Sequence, residues 1–209
     1  MTTTITITSD DATVNCCCSS PPPPAAAVLR PEDMYGLSCA TVLPEHGNGA
    51  DPLYRQLACA KAVLPAGRAI THLGVLLSSP ARGNREGGES RLAVYSDAGD
   101  LVAATANDPT LFTTAEGWVY APLDSPVAAA AEDRMIWLAV LVPSFATSQP
   151  GFIMVENPIY DEPDIYNPNG ARAITQPDAL QLPASIAGEQ LNMTVLVPIV
   201  GVDRSEDGT

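Results

Sequence analysis

What most restricts the fold of this chain is a series of short apolar runs of strand length, each closed by turn residues, with no ten-residue segment holding a helical period. Leu57–Leu64 and Ala69–Leu77 are separated by Pro65-Ala66-Gly67-Arg68, a hairpin-like break. Arg91–Ser96 and Leu101–Ala106 flank Asp97-Ala98-Gly99-Asp100, whose Asp and Gly suit a tight reverse turn. Trp118–Ala121 follows. Met135–Val142 is then apolar at every position, as expected of a strand buried on both faces, and Pro143 ends it because proline cannot donate to a central ladder. Six such runs predict an all-β, antiparallel sandwich rather than βαβ units. Ala128–Ala131, between Pro126 and the next strand, is the best helix candidate and has room for one turn at most. A final strand is predicted at Leu191–Val197, interrupted by Pro198 and continued at Ile199–Val202.

With 209 residues the chain has the length of one domain with arms. Residues 1–35 read as an extended N-terminal arm, 36–202 as the sandwich and 203–209 as an acidic tail. Thr2–Thr8 alternates with period two and puts Ile5 and Ile7 on one face of a strand. An acidic turn (Ser9-Asp10-Asp11) and three consecutive cysteines come next. Pro21, Pro22, Pro23 and Pro24 then fix φ and supply no donors, which predicts a semi-rigid polyproline II spacer. An arm so poor in local hydrogen bonds becomes ordered only against something else, plausibly another subunit, with Ile5 and Ile7 as its apolar anchors.

Twenty-four acidic residues against ten basic ones give a formal charge of −14, and Lys61 is the sole lysine. Phosphate backbones are bound by clustered Lys and Arg, so this balance argues against nucleic acid as a partner. No apolar run approaches the ~18–20 residues of a membrane span, and Met1-Thr-Thr-Thr-Ile5 lacks a basic and apolar secretory leader. The expectation is a protein made in a reducing cytoplasm with no membrane insertion. Cys16, Cys17, Cys18, Cys39 and Cys59 then read as reduced, with a disulfide between chains through the triplet as the alternative. Adjacent cysteines do not wrap one tetrahedral metal.

The usual catalytic patterns are missing: no G-x-S-x-G, H-E-x-x-H, G-x-x-x-x-G-K-[ST] or strand-following G-x-G-x-x-G. His72, inside an apolar strand, reads as a hydrogen-bonded structural histidine, and His46 lies in the loop Glu45-His46-Gly47-Asn48-Gly49. Asp161, Glu162 and Asp164 supply clustered oxygens without the twelve-residue calcium loop. Trp137 lies in the most apolar strand and reads as core. No catalytic residue, metal or cofactor is expected. Two long loops are the candidate recognition surfaces: Ser78–Ser90, glycine-rich and carrying Arg82 and Arg85, and Asn157–Asn169, carrying Tyr160 and Tyr166.

Several segments in order resemble one family. Arg30-Pro31-Glu32-Asp33-Met34-Tyr35-Gly36, then Ala60-Lys61-Ala62-Val63-Leu64, then Ile70-Thr71-His72-Leu73-Gly74-Val75 are similar to the small β-sandwich minor tail or virion-surface proteins of actinobacterial tailed phages. The most specific piece is Arg91–Ala103, which looks like that family's x-Leu-Tyr-Asp-x-x-Gly-x-x-Leu hairpin after a Gly-rich loop, here Gly83–Gly88. Leu182-Pro183-Ala184-Ser185-Ile186 before a final apolar strand also matches. The resemblance spans roughly residues 29–202. It implies a jelly-roll-like sandwich without cofactor or catalytic set, displayed on a virion surface, docked there by its arm and associating as a homotrimer. A minor tail protein is the expectation it favours. A capsid decoration or head-fibre protein is the alternative, and a receptor- or carbohydrate-binding module acting on a host-surface glycan is another. The Asn157–Asn169 insertion and the Cys-Pro arm depart from the pattern.

Overall fold

A computed structural model describes residues 5–9, 12–16, 37–41, 49–156, 173–186, 195–196 and 199–204, and these form strands and turns but no helix. The chain divides into two compact units, Met1–Arg30 and Pro31–Thr209. In the first, β1 (Ile5–Ser9) pairs antiparallel with β2 (Ala12–Cys16), setting Ile5 opposite Cys16 and Ile7 opposite Val14. Asp10 and Asp11 fall between the strands, so the Thr/Ile strand has a local partner rather than standing alone. Pro21, Pro22, Pro23 and Pro24 lie outside the described residues.

The second unit is a sandwich of two antiparallel sheets. After the short β3 (Cys39–Ala40), eight strands follow: β4 (Gly49–Pro52), β5 (Gln56–Leu64), β6 (Ile70–Ser79), β7 (Arg91–Ser96), β8 (Leu101–Ala104), β9 (Gly117–Val127), β10 (Arg134–Val142) and β11 (Gly151–Glu156). One sheet contains the order β4-β11-β6-β9 and the other β5-β10-β7-β8. The pairs β7 with β8, β6 with β9, β5 with β10 and β4 with β11 are nested like the rungs of one long hairpin. Rolling such a ribbon so that successive rungs alternate between sheets produces a jelly roll, and the sandwich has that winding. Three further strands extend it. β12 (Ala173–Pro177) lines β5, β13 (Val195–Leu196) pairs with β11, and β14 (Ile199–Val202) takes the part of the β6 edge that β11 leaves and carries β3 on its other side.

Alternation along each strand fills the space between the sheets with Leu73, Val75 and Leu77 of β6, Leu92 and Val94 of β7, and Ile136, Leu138, Val140 and Val142 of β10. Phe112 and Phe152 meet edge-on there at 5.7 Å. The intervening residues of β10, Trp137, Ala139 and Leu141, face the opposite way and are buried too, with Leu57, Cys59, Ala93 and Tyr95. Ala179 and Ile186 cover them, carried by a strap over residues 178–186. The strap is sewn to the β7–β8 turn: Ile186 N donates to Gly99 O at 2.9 Å, Leu101 N to Ala184 O at 3.0 Å, and Tyr95 Oη to Pro183 O at 3.1 Å. That second layer is why Met135–Val142 carries no polar residue.

Two sequence expectations change. The break at Pro65–Arg68 is a corner between sheets, not a hairpin, because β5 and β6 belong to different sheets; Gly67 turns there with φ +76° and its N–H reaches Ala130 O at 2.8 Å. β9 continues past Ala121 through Pro122 and Pro126. Its ladder partner among the described residues is β6 on one side, and its other side carries a single isolated bridge, Leu123 to Thr105, so missing donors there break no ladder. Residues 128–131 form no helical turn.

Candidate functional site

The recognition loop at Ser78–Ser90 is a built structure rather than a free tip. β6 continues to Ser79, after which Ala81 N donates to Phe112 O at 2.8 Å. Arg82 and Ser148 exchange backbone bonds at 3.0 and 3.1 Å, Ala146 N reaches Asn84 O at 2.9 Å, and Glu86 N reaches Ser144 O at 2.8 Å. The loop is thus zipped onto residues 144–148, the connection between β10 and β11. Its glycines make this possible: Gly83 has φ +85°, and a Cβ there would stand 2.6 Å from Thr147 Oγ1. Phe145 plugs the sandwich beneath, and the Gln149 side chain bonds both its N–H and its C=O.

The two arginines of this loop have different employments. Arg85 Nη1 donates to Asn107 Oδ1 at 2.6 Å, and the same oxygen accepts Ser90 N at 3.1 Å, so Arg85 holds the loop base. Arg82 is exposed at the tip and has no ion-pair partner among the described residues. Tyr160 and Tyr166, with the acidic cluster Asp161, Glu162 and Asp164, lie outside the described residues, as do His46, Cys17 and Cys18.

His72 Nδ1 lies 3.0 Å from Thr71 Oγ1, which also accepts Arg204 N at 2.8 Å, so the pair ties down the chain after β14. Cys39 and Cys59 are buried on different strands, β3 and β5. Lys61 Nζ sits 2.6 Å from Asp97 Oδ1 and over the Trp137 ring at 5.1 Å, while Trp137 Nε1 donates to Asp97 O at 3.4 Å. Trp137 is core, as its strand implies, but of the outer layer beneath the strap.

Two surface features escaped the sequence reading. On the outer face of β9, Trp118 and Tyr120 stack at 5.7 Å with an interplanar angle of 23°, and Arg204 lies 4.3 Å over Tyr120. Tyr120 rests across Gly74, where a Cβ would come within 2.5 Å of its ring. Burial pushes the Tyr120 hydroxyl above the ordinary phenol range, partly opposed by the Arg204 charge. The period-two spacing of Trp118 and Tyr120 was a readable signal. The second feature joins Tyr54 and Arg55 with Asp178 and Leu180, residues whose sequence carries no sign of their meeting. No protein-family model matches the chain, and a search of the curated proteins returns no match.

Proposed function

We propose that this chain is a non-enzymatic structural protein of a tailed-phage virion, displayed at the particle surface as a homotrimer and docked through its N-terminal segment, with a minor tail position favoured. The observation that carries the reading is how the two most specific pieces of the resemblance meet. Arg91–Ala103 is the β7–β8 hairpin, and Leu182–Ile186 is the strap sewn onto it through Gly99, Leu101 and Tyr95. Motifs nearly ninety residues apart in sequence therefore form one packed unit in the fold. The architecture supports the reading by analogy, since jelly rolls build viral capsid proteins; they also build lectins, so the fold alone does not choose among roles. A sandwich filled on both faces of one sheet, with its end loop laced by main-chain bonds, suits a part that must persist outside a cell.

The test is immunogold labelling of particles released from cells that produce the chain, comparing the full-length protein with one lacking residues 2–28. Gold on the tail for the full chain alone is the expected result. Gold over the capsid selects the decoration or head-fibre reading. Particles without gold refute a virion role.

A further inference from the structure

Only two non-glycine residues among the described ones have positive φ, Arg55 at 48° and Asp178 at 57°. They stand beside the last rung of β5 and β12, where Gln56 opposes Pro177, and Arg55 Nη2 lies 3.3 Å from Asp178 Oδ1. Side chains disfavour this backbone region, where glycine would sit without strain. The ion pair returns little by itself, because its side chains are 50% and 76% exposed. Next to the pair, Leu53 and Ala179 point inward and are buried, which turns Tyr54 and Leu180 outward at 59% and 50% exposure. Leu180 is held in that attitude because its carbonyl accepts Glu89 N at 2.9 Å. Two charged side chains kept at strained positions are thus paired, one next to Tyr54 in sequence and the other two residues before Leu180, the two most exposed large apolar residues among those described. Tyr and Arg are the two side chains of this set that are over-represented at interface centres.

From this arrangement we infer that Tyr54, Arg55, Asp178 and Leu180 form a contact between copies of this chain. Arg55 of one copy faces Asp178 of the partner subunit. Charge identifies the occupant. A formal charge of −14 sets copies against one another over most of their surface. This patch instead presents one base and one acid side by side, so it is complementary to itself. About a three-fold axis the same pairing closes as a ring. The contact therefore extends the many-copy reading above by naming the surface through which copies associate.

The test is sedimentation and native mass spectrometry of the full chain. The wild-type protein associates into multiples of 21.8 kDa. R55D and D178R each weaken association by roughly tenfold or more, since like charges then meet across the contact, and R55D/D178R restores it. Mixing the two single variants yields complexes containing both chains that are tighter than those either variant forms alone, because every contact between unlike chains again sets a base against an acid. No chain in that mixture regains the pair within itself, so this outcome separates a contact between copies from an internal structural role. Y54A, which keeps the ion pair, also weakens association and serves if a charge variant fails to fold. A wild-type chain that stays monomeric at every concentration overturns the inference, as do variants that associate like the wild type or a mixture that forms no mixed complex. Association through this patch without gold on particles would leave the contact standing and remove the virion role; gold on particles with a monomeric wild-type chain would do the reverse.

Discussion

Replacing Leu141 by Ala asks whether the strap over residues 178–186 is seated as described. Leu141 and Leu138 lie on opposite faces of β10, and both are fully buried, Leu138 between the sheets and Leu141 beneath the strap. Truncating a buried leucine removes its transfer free energy and leaves a partly collapsed cavity, together ~2–5 kcal/mol. For a chain of this size each kcal/mol shifts Tm by ~2–4 °C, so either substitution should lower Tm by roughly 4–20 °C. Leu101→Ala is the control, because that side chain is 37% exposed on β8 and its loss should cost clearly less than that of either fully buried leucine. Urea denaturation followed by tryptophan fluorescence reads all three variants. Trp137 shares the outer layer with Leu141, so its environment reports on the strap directly. If Leu141→Ala matches Leu101→Ala while Leu138→Ala shows the full loss, the outer face of the sheet is wet and the second layer is wrong.

Tyr95 supplies a pH test: burial first, then the neighbouring Cys59, pushes its hydroxyl well above the ordinary phenol range, with Arg91 opposing. Between the unfolded pKa near ~10 and the raised folded value the native state holds the extra proton, so stability is full below pH ~10 and falls as pH rises beyond it. Tyr95→Phe should flatten that alkaline decline in denaturation profiles without abolishing it, since Tyr120 is raised too; an unchanged slope counts against the assignment. Hydrogen exchange supplies the other test: the amides of Ala81, Arg82, Glu86, Ala146 and Ser148 should be protected well above free-loop rates, and free exchange would show that the loop is not zipped to residues 144–148.

What could be read in the sequence depended on whether a signal was local. Met135–Val142 announced a strand dry on both sides because eight consecutive apolar residues have no other economical place in a β fold. Asp97–Asp100 announced its turn because Gly99 supplies the positive φ that the β7–β8 connection needs, and Ser96 and Asp100 close it by backbone and side-chain bonds. β4 could not be read: Gly-Ala-Asp-Pro has poor strand propensity, and its register comes from β11, about a hundred residues away. The Gly-rich loop misled in the other direction. Glycines that suggested mobility are the means by which residues 81–86 come close enough to bond residues 144–148. Arg55 was invisible because an arginine does not mark a left-handed backbone, and Asp178, a residue type that tolerates one, is one of many aspartates in the chain.

The winding shows why one local turn matters beyond its neighbourhood. In a nested ribbon, each pair of strands is fixed by the pair inside it. Once β7 and β8 close on Asp97–Asp100, β6 can meet only β9, β5 only β10 and β4 only β11 without crossing the chain. Pairing at the outer rungs carries the largest loop-closure cost, so the roll should assemble outward from that turn. The strap docks onto the same turn through Gly99 and Leu101, capping the nucleus rather than a distant edge. Away from that turn, Arg82 is exposed at the loop tip, and Tyr54, Arg55, Asp178 and Leu180 are exposed at the margin of β5 and β12. If copies meet through the proposed contact, substitutions at that margin should alter assembly and leave the folded interior unchanged.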